Sequence, residues 1–162
     1  MYRDAPNVTI ISKTKDLPFG SDIFDTIIST ECFEHDPEYA QSLVKIYDML
    51  KPDGLFVFTC ASTGRPEHGT LKTTPNDSYG TIHKFSEMVN YYKNLTIRNV
   101  NDVLNLNELF TAWDSYYNSK THDLYFVGIK KGKKTFEKLL KYKSNIPNNN
   151  QYITKTTYDI EK

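Results

Sequence analysis

Short apolar runs alternate with one clear helical stripe through the first sixty residues of the chain. Val8-Thr9-Ile10-Ile11 is β-branched and reads as a strand, and Phe24-Asp25-Thr26-Ile27-Ile28-Ser29 reads as a second. The near-continuous apolar middle of that second run predicts a strand covered on both faces. Between the two, Leu17-Pro18-Phe19-Gly20 is a turn whose apolar members can tuck back on the core. From Pro37 the period changes: Tyr39, Leu43, Ile46, Tyr47 and Leu50 share one helical stripe, with Asp36 as N-cap and Pro37 at the first helical position. Lys51-Pro52-Asp53-Gly54 stops the helix, and Leu55-Phe56-Val57-Phe58-Thr59-Cys60 follows as a third strand. A strand, helix and strand joined by short connections predict a parallel crossover unit.

Residues 61–95 are polar and carry Gly64, Pro66, Gly69, Pro75 and Gly80, the composition of a long functional or mobile connection. A helical turn is expected around Ser86-Glu87-Met88-Val89. Residues 96–104 place Ile97, Val100, Val103 and Leu104 on one helical face. Residues 111–117 and 124–129 then return to strand character and predict an antiparallel pair at the edge of the sheet. Past Gly132, Phe136, Leu139 and Leu140 can anchor a short helix. The fold expected is α/β, a truncated Rossmann-like sheet with a C-terminal antiparallel strand pair. Residues 1–133 form its domain, and residues 134–162 are a Lys/Asn-rich extension expected to be flexible.

Composition narrows the function classes. The 162 residues are long enough for one domain with its own core and carry twenty basic against twenty acidic side chains, so no global field draws the chain to nucleic acid or an anionic membrane. Between Lys131 and Lys162 the local charge is +5, which ranks nucleic-acid binding last among the functions considered. No basic leader followed by an apolar run opens the sequence and no apolar stretch is long enough to span a bilayer, so a cytoplasmic location is expected. Cys32 and Cys60 lie in or beside apolar runs and are expected as buried thiols of a reducing compartment.

Two polar clusters follow the second and third strands, where α/β sheets gather their ligands. In the first, Ser29-Thr30-Glu31-Cys32-Phe33-Glu34-His35-Asp36, Glu31 can bind a donor or remove a proton and His35 can change charge near neutral pH. The same residues also suit a structural role, with Glu34 and Asp36 bracing the helix and His35 filling a polar niche. In the second, Thr63-Gly64-Arg65-Pro66-Glu67-His68-Gly69-Thr70, Arg65 can hold a carboxylate or phosphate and His68 can act as acid or base. Here the alternative is an Arg65–Glu67 surface pair. Tyr91 and Tyr92 are expected to pack or to line a small-molecule pocket. No metal site is expected, because His35, His68, His83 and His122 are widely separated and the two cysteines form no chelating motif.

Leu17-Pro18-Phe19, Phe24-Asp25-Thr26-Ile27-Ile28-Ser29-Thr30-Glu31, the pair Glu34-His35 and Leu50-Lys51-Pro52-Asp53-Gly54-Leu55 together resemble the later part of a class I S-adenosylmethionine-dependent methyltransferase, in the small-molecule branch that contains ubiquinone-biosynthesis-type enzymes. The resemblance runs over residues 8–131 and implies the C-terminal two-thirds of such a domain, without its glycine-rich cofactor turn. It implies methyl transfer from S-adenosylmethionine to a small molecule. The cofactor side would fall to Lys13, Asp16, Ser29, Thr30, Glu31 and His35, and the acceptor side to Glu31, Arg65 and His68 as catalytic residues. Lys13 stands where the family usually offers an acidic residue near adenine. The isolated chain is therefore expected to bind S-adenosylmethionine weakly or not at all. It is expected to work as a homo-oligomer or with a separate N-terminal-half partner; the alternative is a noncatalytic partner or regulatory subunit.

Overall fold

The computed structural model describes residues 9–132 and the backbone of one further strand at 152–155. Four strands form the body of the sheet: β1 (Phe24–Thr30), β2 (Leu50–Ala61), β3 (Phe110–Asn118) and β4 (Asp123–Lys130). A fifth, β5 (Tyr152–Lys155), pairs antiparallel with β3, and the spatial order is β1-β2-β4-β3-β5. β1 and β2 are parallel and joined through helix α1 (Tyr39–Met49). Thr30 pairs with Thr59, so both strands deliver their carboxyl ends to the same edge of the sheet. The predicted crossover unit, the antiparallel pair and the mixed α/β sheet are all present.

Helix α1 begins at Tyr39, two residues later than the Asp36-Pro37 signal predicts. Asp36 still organises the entry: its two carboxylate oxygens accept from the Glu38 amide at 2.8 Å and the Ser42 hydroxyl at 2.6 Å. After a single turn of helix α2 (Tyr79–Ile82), α3 (Ile97–Leu104) starts where Asn99 accepts the Thr96 amide at 3.0 Å, and it ends at Asn105 in the left-handed region. α4 (Leu106–Leu109) leads directly into β3. Residues 86–89, expected as a helical turn, form a single turn that does not continue into a helix, the Met88 and Val89 amides donating to the Phe85 carbonyl at 2.8 and 3.0 Å.

Period-two alternation along β2 gives the sheet two unlike faces. Phe56, Phe58 and Cys60 are fully buried beneath Leu43, Ile46 and Met49 of α1 and Val100 and Leu104 of α3, with Phe126 of β4 in the same cluster. Stacked and tilted rings of Phe56, Phe58 and Phe126 at 5.0–5.8 Å form its centre. On the opposite face, Val127 and Ile129 gather only Leu55, Val57, Ala112 and Tyr116, and no helical residue belongs to that smaller cluster.

Other expectations meet the sheet differently. Thr9, Ile10 and Ile11 are irregular, so the first predicted strand is absent among the described residues; a β-branched run with no neighbouring ladder cannot satisfy its backbone as a strand. β1 is not covered on both faces: none of its residues is buried and Ile28 is 66% exposed, because β1 is an outer strand of the sheet. The antiparallel pair closes one end of the four-strand body, β4 against β2 and β3 outside it, with β5 beyond β3. Cys60 is buried as expected, but Cys32 is exposed. The proposed helix around Phe136, Leu139 and Leu140 falls outside the described residues.

Candidate functional site

Three chain segments converge beyond the carboxyl ends of β1 and β2. The first leaves β1 through Glu31, whose positive φ of 48° turns the chain sharply while its amide donates to the Thr59 carbonyl at 2.9 Å. A 3-10 turn, Phe33–His35, follows. Phe33 anchors it by edge-on contacts with Phe56 and Phe58, at 6.5 and 5.2 Å between ring centres, and this anchoring carries Glu34 and His35 inward with it. Glu34 has no solvent exposure and His35 only 7%. The second segment leaves β2 and brings His68 to His35, the rings perpendicular at 4.9 Å. The third is extended and fastened to the other two: the Lys93 amide donates to the Glu34 carbonyl at 3.0 Å and the Leu95 amide to the Ala61 carbonyl at 2.9 Å. It carries the Tyr92 ring to 4.8 Å from His68 and 5.8 Å from His35.

One ligand-capable atom from each of Glu34, His35 and His68 lies within 4.8 Å of the others. Both Glu34 carboxylate oxygens, His35 Nδ1, the Tyr92 hydroxyl and Asn94 Oδ1 are buried without a hydrogen-bond partner. All belong to the fastened segments. Burial pushes the Glu34 carboxyl up to about 8, with the Glu31 charge adding to it. Burial also pulls His35 down to about 4, followed by repulsion from His68, so His35 is a neutral imidazole at pH 7. The tightness is steric as well: a Cβ on Gly69, which sits at φ +69°, would lie 2.5 Å from His35 Cε1.

The remaining residues singled out from the sequence occupy different places. Glu31 is exposed at the mouth of this cluster and accepts from the Thr59 hydroxyl at 2.7 Å. Ser29 and Thr30 close β1, half-buried and exposed respectively. Arg65 pairs with Asp123 at 3.1 Å rather than with Glu67 and donates to the Thr121 carbonyl at 2.7 Å. Lys13 pairs with Glu38 at 3.2 Å and with Glu87. Asp16 pairs with Lys15 at 2.9 Å and borders an open groove of about 630 Å³ along α1, which none of Ser29, Thr30, Glu31 or His35 lines. Of the residues assigned to S-adenosylmethionine, Asp16 alone borders this groove.

Glu34 is the member whose part was not foreseen, having been read as a possible helix brace, whereas Tyr92 packs on the histidine rings as one of its two expected roles. His35 and His68 are distant in sequence, yet each follows a strand whose carboxyl end opens on the same crevice. Adjacent parallel strands with a histidine in each following loop are the signal that points to it.

A methyltransferase domain family matches residues 2–58 of the chain. No curated protein matches. Among solved structures, a Thermotoga maritima S-adenosylmethionine-dependent methyltransferase titled as a possible histamine N-methyltransferase superposes with a TM-score of 0.50 at 12% identity, covering 74% of this chain and 62% of its own. A putative methyltransferase in complex with the Trm112 methyltransferase activator of Haloferax volcanii gives 0.49 at 17% identity, with 78% and 62% covered. The YcgJ protein of Bacillus subtilis gives 0.49 at 13%, with 75% and 70% covered. The chain spans 62% of the length of the first two.

The family match corrects the reading by resemblance. The methyltransferase-like region is the amino-terminal 58 residues of the chain, so the chain is not the C-terminal two-thirds of such a domain. The match ends inside β2. Beyond it, an antiparallel pair and a polar loop had extended the resemblance to residue 131, and those are features that many α/β domains supply. Over residues 2–58 the chain is similar to a methyltransferase domain.

Proposed function

We propose that the chain holds a small-molecule methyl acceptor at the carboxyl ends of β1 and β2, and that S-adenosylmethionine binds there only when a second copy of the chain lies against β1. The observation that carries this reading is the outer edge of β1. Among the described residues no strand pairs with it, and Ile28 projects from it 66% exposed. An edge of this kind is a template for pairing, and its self-complementary use gives a two-fold dimer. The balanced net charge leaves no electrostatic barrier between copies. In this reading Ser29, Thr30 and Glu31 contribute to the wall shared with the second copy, and Glu31 and His68 face the acceptor.

Titration calorimetry with S-adenosylmethionine and S-adenosylhomocysteine, run beside sedimentation equilibrium, tests the proposal. Saturable binding is expected only at concentrations where the dimer forms. Micromolar binding by a species of one-chain mass overturns it. A dimer that binds neither compound also overturns it and supports a noncatalytic subunit, the reading favoured by the engagement of Lys13 and Arg65 in internal ion pairs.

A further inference from the structure

We propose that Glu34, His35 and His68 form a binding site for a divalent first-row transition metal ion of the zinc type. The inference stands on the geometry of the cluster and is independent of the methyl-transfer reading.

Two imidazoles and one carboxylate are a donor set that zinc, cobalt, nickel and ferrous iron accept with positions left open, whereas magnesium and calcium take oxygen ligands. Here the three donors come within 4.8 Å of one another. Ligands bound to one tetrahedral ion at about 2.0–2.1 Å stand roughly 3.4 Å apart, so closing on a metal needs a movement of about an ångström. His68, only partly buried on the loop after β2, is the member free to make that movement, while Glu34 and His35 are fixed by the Phe33 anchor.

A buried polar group ordinarily has a partner, and the cost of leaving one unmade is large. Glu34 is wholly buried and neither oxygen makes a hydrogen bond of ordinary geometry, although the Glu31 carboxylate and the Glu34 and Ala61 backbone stand close enough to act on it; His35 Nδ1, in a ring 7% exposed, has no partner. These are the atoms a cation would satisfy together. His68 is prepared in the manner of metal-bound histidines: its Nδ1 donates to the Pro66 carbonyl at 3.1 Å, which leaves the Nε2 lone pair available. Tyr92, against both histidine rings, shields the site. A metal here withdraws His68 from any base role and leaves Glu31 facing the acceptor.

The experiment uses the untagged full chain stripped with a chelator. Calorimetric titration with zinc chloride is expected to show one saturable site per chain, and cobalt chloride to give the intense visible absorption of a four- or five-coordinate ion. Glu34→Gln and His68→Ala are expected to weaken zinc binding by about 100-fold or more. His83→Ala, an exposed histidine outside the cluster, leaves it unchanged, and magnesium does not compete. Circular dichroism establishes that each variant is folded. Absence of saturable zinc binding overturns the proposal, as does equal binding by the parent, E34Q and H68A, which would assign the ion to surface side chains.

Discussion

Arg65 in the loop after β2 is tied to Asp123 at the start of β4, its guanidinium 3.1 Å from the carboxylate and 2.7 Å from the Thr121 carbonyl. Asp123 is 7% exposed, so the pair is a brace across the mouth of the loop that carries His68. Arg65→Ala leaves a nearly buried carboxylate without its cation and is expected to lower stability by about 1–3 kcal/mol in urea denaturation. The double variant with Asp123→Asn should lose less than the sum of the two single changes. A stable R65A that fails only in small-molecule binding would return Arg65 to the ligand.

Gly69 meets His35 where no side chain fits. Gly69→Ala forces both a left-handed alanine and a Cβ 2.5 Å from the imidazole, and the expected loss is at least about 1 kcal/mol together with displacement of His35. The melting temperature reads the first effect, and the imidazole resonances in a proton–nitrogen correlation spectrum read the second. Unchanged His35 resonances in a folded G69A would contradict the contact.

The Lys13–Glu87 pair predicts an acid-dependent fastening of the amino-terminal loop. Lys13 holds the Glu87 carboxyl down at about 2 in the folded chain, against an ordinary value of 4.5. A depressed carboxyl stabilises above its unfolded value and loses that contribution as pH falls from about 4.5 through 2. Both groups face solvent, so the effect is modest and screened by salt. The urea midpoint of Glu87→Gln should lie below that of the parent at pH 7 in low salt, and the difference should vanish near pH 2 or in 1 M salt. A difference that persists in 1 M salt would mean that Glu87 acts through packing.

Ile28→Lys places a charge on the exposed face of the outer strand. If copies associate through β1, sedimentation equilibrium should show a dissociation constant weakened by about tenfold or more, while the circular dichroism of the single chain is preserved. An unaltered constant would move the contact elsewhere.

Local pattern made much of this fold legible. The stripe of Leu43 and Ile46 and the alternation in β2 each express a choice made within a few residues, and α3 and the β3–β4 pair are of the same kind; the expected stop was misplaced, because the helix ends at Met49 and Leu50 through Gly54 already belong to β2. Position in the sheet was not legible. Phe24–Thr30 is as apolar as an inner strand, but its neighbours are chosen by long-range pairing, and it lies at the outside with Ile28 exposed. The site divides in the same way. Glu31, His35 and His68 were marked by following strand ends, whereas Glu34 reads as a polar residue before a helix until Phe33 is seen to pull it inward. Arg65 and Asp123 are 58 residues apart and nothing local joins them.

β4 is the last of the four principal strands to be synthesised, yet it bonds to β2 on one side and β3 on the other. A ribosome adding some 5–20 residues each second would release β1, α1 and β2 seconds before the strand that joins them to the rest, with the Phe56 and Phe58 rings still lacking Phe126. During that interval the nascent chain displays a parallel ladder open along both margins. Codon-level slowing between β2 and β4 should therefore raise aggregation more than the same slowing upstream.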